Sequence, residues 1–192
     1  VSDPADYGQN RCCSLESYQE ALGVAQLLDI PLYKVNFGRQ FKRLIVDDFL
    51  SEYDRGHTPN PCINCNKLIK FDLLLKYAKK VFDADYLATG HYVKIKKNRQ
   101  GIYELSRPKD INKDQTYFLY NLKQQQLKHL LFPLSGYQKE GVRKIAQQIG
   151  LKIFNKPDSQ EICFVGKSHN DFLKKYLKLK AGEIIDADNN QK

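Results

Sequence analysis

Between Leu15 and Thr89, short apolar runs alternate with longer stretches whose apolar residues recur at helical spacing. This alternation restricts the fold more than any other feature of the 192-residue chain. Leu15, Tyr18, Leu22, Ala25 and Leu28 form a first helical stripe. Ser17 and Glu20 have the spacing of a capping box one turn in, and Pro31 ends the pattern. Leu32–Phe37 is short, apolar and bounded by Gly38, the signature of a strand. A second stripe carries Phe41, Leu44, Ile45, Phe49 and Tyr53, with Gly56 as its stop. A third helix is predicted from Asn66 to Lys80 with Phe71, Leu74, Leu75 and Ala78 inward, and Asp85–Thr89 reads as a buried strand. Strands separated by helices imply crossover connections and a parallel sheet, an α/β fold. Ligands in such sheets sit beyond the carboxyl ends of the strands, where Thr89-Gly90-His91 lies.

The remainder reads as a hairpin around Asn98–Gly101, a helix near Gln138–Ile149, a loop at Phe154–Ile162, a helix near Asn170–Leu177 and a strand-like Gly182–Asp186. A domain boundary is placed near His129, dividing the chain into 1–129 and 130–192. A core is affordable, because 42% of residues are hydrophobic, with 12 Tyr and 10 Phe. The net charge of +9 is compatible with a polyanionic partner such as RNA. No apolar run approaches the roughly 18 residues of a membrane-spanning helix, so a soluble protein with no membrane partner is expected; a monomer is the expected assembly. Five cysteines, an odd number, argue against a secreted disulfide framework and for reactive or metal-binding thiols in a cytosolic protein. The absence of Met and the loop-like opening at Val1 read as a piece of a longer chain.

Three segments could carry chemistry. In Gly56–Asn66 two prolines stiffen the backbone around Cys62 and Cys65, and a helix is predicted to begin directly after Cys65. A thiol at a helix N-terminus faces unpaired N–H groups and the positive end of the dipole, and Lys67 and Lys70 add to that field. Cys65 is therefore a candidate nucleophile, although a lone Cys-x-x-Cys is equally compatible with half a zinc site, a redox dithiol or core packing. Cys163, after the polar run Lys156–Ile162, could be reactive or simply buried. In Asn112–Tyr120, Lys113, Asp114 and Gln115 could contact RNA with aromatic rings following, or Asp114 could merely cap a helix. Cys12 and Cys13 are adjacent, a poor geometry for a disulfide, and read as structural.

Taken in order, GHTPNPCINCNKLIKF, ADYLATGHYVKI, NKDQTYFLY, LFPL and DSQEICFVG resemble the tRNA-specific 2-thiouridylases, over nearly the whole chain from Cys12 to Asp186. The resemblance implies a partial PP-loop ATP-pyrophosphatase domain with a doubly wound parallel sheet, followed by a small, mostly helical central domain. It implies that ATP, with Mg2+, adenylates the C2 oxygen of the wobble uridine in tRNAs for Lys, Glu and Gln. A sulfur-relay protein then passes persulfide sulfur to the enzyme, which sits in the cytoplasm, or in mitochondria of a eukaryote.

By motif, Cys163 matches the persulfide-bearing cysteine, and Cys65 matches its partner nucleophile, which releases hydrosulfide or forms a disulfide with Cys163. Asn60, Pro61 and Cys62 match the stretch that holds the target base. His91, Lys113, Asp114 and Gln115 match tRNA contacts, and Gly90 an ATP-contacting backbone position. Two departures accompany the likeness. Cys62 stands where many members carry Asp, so Cys62, Cys65 and Cys163 could alternatively ligate an iron–sulfur cluster. The Ser-Gly-Gly-x-Asp-Ser phosphate loop and the C-terminal β-barrel of the family do not occur in these residues, so the 192-residue chain alone is expected to be inactive. The competing readings are a non-catalytic RNA-binding module and a structural zinc or iron–sulfur protein.

Overall fold

The structure is a computed structural model that describes residues 14–158, 162–166, 168–178 and 182. Helix α1 is Leu15–Leu27, and its cap is Ser14, whose hydroxyl accepts from the Ser17 N–H at 3.1 Å. The predicted Ser17/Glu20 box therefore lies inside the helix, because Ser14 captures the free N–H groups first. The helix stops before Pro31, with Asp29 in a left-handed conformation at φ 51°.

The strand expected at Leu32–Phe37 does not form, and residues 31–37 run without regular structure. Among the described residues no neighbouring strand lies against this segment, so its backbone has no ladder to join. Its rings instead pack against a later helix, Tyr33 on Phe82 at 4.4 Å and Phe37 on Tyr77 at 6.0 Å between centroids.

Gly38–Phe41, Lys42–Val46 and Asp47–Asp54 run together as one helix, α2 (38–54), whose middle five residues widen to i→i+5 bonding. Gly56, at φ 80°, terminates it as expected. Pro61–Asn64, Cys65–Leu74 and Leu75–Phe82 form α3 (61–82), again widened in its middle section. It ends at Asp83, also left-handed. Widened turns of this kind are uncommon and recur at functional positions.

The predicted strand at Asp85–Thr89 shortens to β1, Leu87–Ala88, paired in parallel with β4, Leu130–Leu131. Strand β2, Lys94–Lys97, pairs antiparallel with β3, Tyr103–Ser106, in the expected hairpin. A short helix, α4 (Gln124–Leu127), precedes β4. Helices α5 (Lys139–Gln148) and α6 (His169–Tyr176) follow close to their predicted places. Cys12 and Cys13 lie outside the described residues, as does all of the predicted Gly182–Asp186 strand beyond Gly182.

Helices and a small parallel pairing make this an α/β structure. Its core gathers Phe71 and Leu75 of α3 with Val93, Leu119, Leu127, Leu130 and Phe132, all buried. That cluster seats the carboxyl end of β1 against α3 and so positions the segment Thr89–His91. A second, aromatic cluster joins Phe41 and Phe49 of α2 to Phe164 and Phe172.

Candidate functional site

The start of α3 differs from expectation in a way that matters chemically. The helix begins at Pro61, five residues earlier than the predicted start at Asn66. Asn60 is the cap, its side-chain oxygen accepting from the Cys62 N–H at 3.1 Å, and Pro61 fills the first helical position, where no N–H is needed. The exposed Cys62 therefore occupies the first turn, where the dipole acts most strongly, and half-buried Cys65 lies one turn later. The N-terminal argument made for Cys65 belongs to Cys62. Cys65 is held instead by its neighbours. The Asn64 amide donates to Asp48 of α2 at 2.9 Å, and buried Asn66 donates to the Phe118 carbonyl at 3.4 Å.

Half-buried Cys163 is anchored on its downstream side by Phe164. That ring meets Phe41 at 5.8 Å, Phe49 at 5.3 Å and Phe172 at 5.5 Å between centroids. Phe49 is the residue after Asp48. Helix α2 thus supports both thiol-bearing segments on adjacent positions. Among the described residues no group of three or more His, Cys, Asp and Glu is gathered to hold a metal.

A cleft of about 350 Å³ opens at the carboxyl end of β1, lined by Lys70, Thr89, Gly90, His91 and Gln115. The His91 ring lies between Phe71 and Phe132, at 5.6 and 6.1 Å, and its Nδ1 meets the Thr89 hydroxyl at 2.8 Å. Burial, with a smaller contribution from the Lys70 charge, pulls its pKa down to about 4, so His91 is neutral at physiological pH. Gln115 is clasped to Tyr92 by two bonds, its side-chain oxygen accepting from the Tyr92 N–H at 3.0 Å and its own N–H donating to the Tyr92 carbonyl at 3.1 Å. Gly90 needs no special backbone freedom, since an added Cβ would sit 3.7 Å from a Leu134 methyl, an ordinary contact.

Asp114 caps the turn Thr116–Leu119, accepting from the Thr116 N–H at 2.9 Å and hydroxyl at 2.6 Å, with Arg107 at 3.4 Å. Lys113 reaches across the molecule to Asp158, 2.7 Å away. Asp158 also meets Lys139 at 3.0 Å and Arg143 at 3.9 Å. Hydrogen bonds from Lys113 and then Lys139 hold its carboxyl down at about 2. Tyr92 adjoins this group, its phenol raised by burial first and then by the Asp110 and Asp158 carboxylates.

The expected site residues therefore fall into two linked groups. Asn60, Pro61, Cys62, Cys65 and Cys163 are tied to α2 and its neighbours, while Gly90, His91 and Gln115 line the cleft. Lys113 joins the second group to the Cys163 segment through Asp158. In the sequence Lys70 reads only as adding to the field at Cys65, not as lining a cleft, and Asp158 carries no role there, nor does the pair of exposed, nearly parallel rings Tyr117 and Tyr120, 6.0 Å apart. For the tyrosines, their place directly after Lys113-Asp114-Gln115 is a readable signal.

A family profile described as the HUP domain of tRNA methyl transferase matches residues 2–167. A tRNA-specific 2-thiouridylase MnmA from Clostridium perfringens is 50% identical over 178 residues, covering 91% of this chain and 49% of that protein. The MnmA of Clostridium kluyveri is 49% identical over 185 residues, 95% of this chain and 51% of its own length. That of Geobacter metallireducens is 48% identical over 163 residues, 85% and 44% respectively. The chain belongs to the MnmA-type tRNA 2-thiouridylase family. It spans about half the length of these curated MnmA relatives. A HUP domain fits the α/β arrangement seen here, with the cleft beyond the end of β1. No helix among the described residues is long and apolar enough to cross a membrane.

Proposed function

We propose that these residues form the sulfur-transferring part of an MnmA enzyme that thiolates C2 of the wobble uridine in tRNA. The observation that carries the reading is the shared support of the two thiol-bearing segments: α2 holds Asn64 through Asp48, and Phe164 through Phe41 and Phe49. In a tRNA-modifying relative, two cysteines held from one helix suit sulfur passing between them.

ATP converts the C2 oxygen of uridine into an AMP ester, and pyrophosphate leaves. A sulfur-relay protein loads Cys163 as a persulfide. The terminal sulfur of that persulfide attacks C2 and AMP departs, oxide being too poor a leaving group without activation. The Cys65 thiolate then attacks the Cys163 sulfur, breaking its bond to the new thiocarbonyl sulfur. Alternatively Cys65 first releases hydrosulfide from the persulfide, and hydrosulfide attacks C2. Both routes leave a Cys65–Cys163 disulfide, which a thiol reductant returns to two thiols with two electrons.

The cleft suits a nucleotide through the Lys70 charge, the Gly90 backbone and an uncharged His91. Mg2+ would be held largely by the ATP phosphates, as is usual for this ion. The Asn60-Pro61-Cys62 stretch, stiffened by its cap and its proline, would hold the extruded base. Lys113 and the exposed rings of Tyr117 and Tyr120 would face the anticodon loop, with Asp114 and Gln115 fixing that surface.

The experiment is tRNA thiolation by the full-length protein, read by retardation of the RNA in an organomercury gel. Cys163→Ser and Cys65→Ser should each lower single-turnover thiolation by at least about 100-fold, as loss of a nucleophile does. Thiolation by Cys163→Ser at the parental rate would overturn the proposal.

A further inference from the structure

Among the described residues between α5 and α6, the segment that carries Cys163 forms no helix or strand; residues 152–155 and 163–164 are turns. Such a segment samples many backbone paths unless side chains select one. Downstream of the thiol, the selection is aromatic, through Phe164. Upstream, it converges on one carboxylate.

Asp158 gathers Lys113, from the segment before the Thr116–Leu119 turn, together with Lys139 and Arg143 of α5. The same stretch is secured nearby, where Arg143 donates to the Lys156 carbonyl at 3.3 Å and the Lys156 ammonium pairs with Glu20 of α1. On the far side, the Lys139 N–H donates to Asp110 at 2.8 Å, binding the start of α5 to the segment that bears Lys113.

These pairs are partly exposed, with side chains 28–39% accessible. Ion pairs so placed add little to global stability. What a carboxylate held by three cations from two elements does well is define a single position, because moving it breaks all three contacts together.

We propose that Asp158 is the positioning residue for Cys163, fixing the upstream end of its segment so that the thiol faces Cys65. This deepens the proposed function and rests on its assignment of Cys163 as the sulfur carrier. Asp158 does not touch substrate; it acts through the path of the chain. The partner that matters most is Lys113, because it connects the Cys163 segment to the surface assigned to tRNA.

The test uses the protein with only Cys65 and Cys163 retained, the other cysteines being serine. Copper–phenanthroline oxidation should cross-link the two thiols, and Asp158→Asn should slow that cross-link at least ten-fold. Its thermal midpoint and the alkylation rate of Cys65 should stay near the parent's, whereas the alkylation rate of Cys163 should change. Asp158→Glu should restore part of the cross-linking. Cross-linking and Cys163 alkylation at parental rates in Asp158→Asn would overturn the inference.

If Asp158→Asn does not fold, Lys113→Gln and Arg143→Gln carry the same comparison, with the same outcomes deciding. If the two-cysteine parent itself never cross-links, the proposed sulfur transfer fails. Asp158 is then judged by Cys163 alkylation alone, an altered rate supporting its positioning role and an unaltered rate overturning it.

Discussion

Asn64 of α3 donates to Asp48 of α2 at 2.9 Å, and the next residue along each helix belongs to the proposed sulfur-transfer site. Cys65 follows Asn64, while Phe49, which follows Asp48, packs on the Phe164 ring beside Cys163. One polar contact and one aromatic contact on neighbouring α2 positions therefore set both thiol-bearing segments. Phe49→Ala should disturb both, with a stability loss of about 3–5 kcal/mol, since Phe49 is 1% exposed and its removal leaves a cavity. Chemical denaturation gives the magnitude. Faster alkylation of Cys163 in the still-folded fraction should accompany it.

Gln115 reads in sequence as a tRNA contact, but its side-chain oxygen is already bonded to the Tyr92 N–H. Gln115→Ala would strip a partner from a backbone group in a part-buried setting and should cost about 1–2 kcal/mol. Urea denaturation measures this. A change in RNA affinity with unaltered stability would show that the clasp is not what the residue supplies.

The half-buried His91 gives the structure a defined response to acid. Its pKa falls from the model-compound value of 6.5 to about 4 on folding, so between those values the unfolded chain binds more protons. The stability contributed by neutral His91 is fully present above about pH 6.5 and is lost as pH falls towards 4. The effect should not exceed about 3 kcal/mol, following from 1.36 kcal/mol per unit. An NMR titration of the imidazole in the folded protein should give a midpoint near 4; a midpoint near 6.5 would refute the burial argument.

Tyr117 and Tyr120 are 64% and 67% exposed on a turn whose Leu119 is fully buried, so the rings are presented rigidly. Changing both to Ala should weaken binding of an anticodon stem-loop by about 1–3 kcal/mol for each base that stacks. The dependence of affinity on salt should hardly change, because no charge is removed. Fluorescence anisotropy at two salt concentrations separates stacking from charge.

Much of this organisation is written in local patterns. The helical stripe from Phe41 to Tyr53, the Gly56 stop and the Asn98–Gly101 hairpin depend on neighbours in sequence, and they occur where expected. The start of α3 was equally available: Asn60 followed by Pro61 is a cap with a first-turn proline, but the two prolines were read as stiffening a loop. The strand predicted at Leu32–Phe37 needed a partner that no local pattern supplies, and its rings found α3 instead. Asp158 carries no local signal, because its significance lies in Lys113, 45 residues away, and in two cations on α5. The likeness to the thiouridylases points to Cys65 and Cys163 by motif; the helix that supports both of their segments is visible only in the folded arrangement.

The most direct test of sulfur passing from Cys163 with the help of Cys65 is peptide mass spectrometry. It should follow one turnover of the full-length protein, loaded with persulfide and given ATP and tRNA without added reductant. A disulfide joining the Cys65 and Cys163 peptides, in amounts matching the thiolated tRNA, is the expected result. Thiolated tRNA accompanied by two intact thiols at these positions, or by a disulfide that uses Cys62 in place of Cys65, would contradict it.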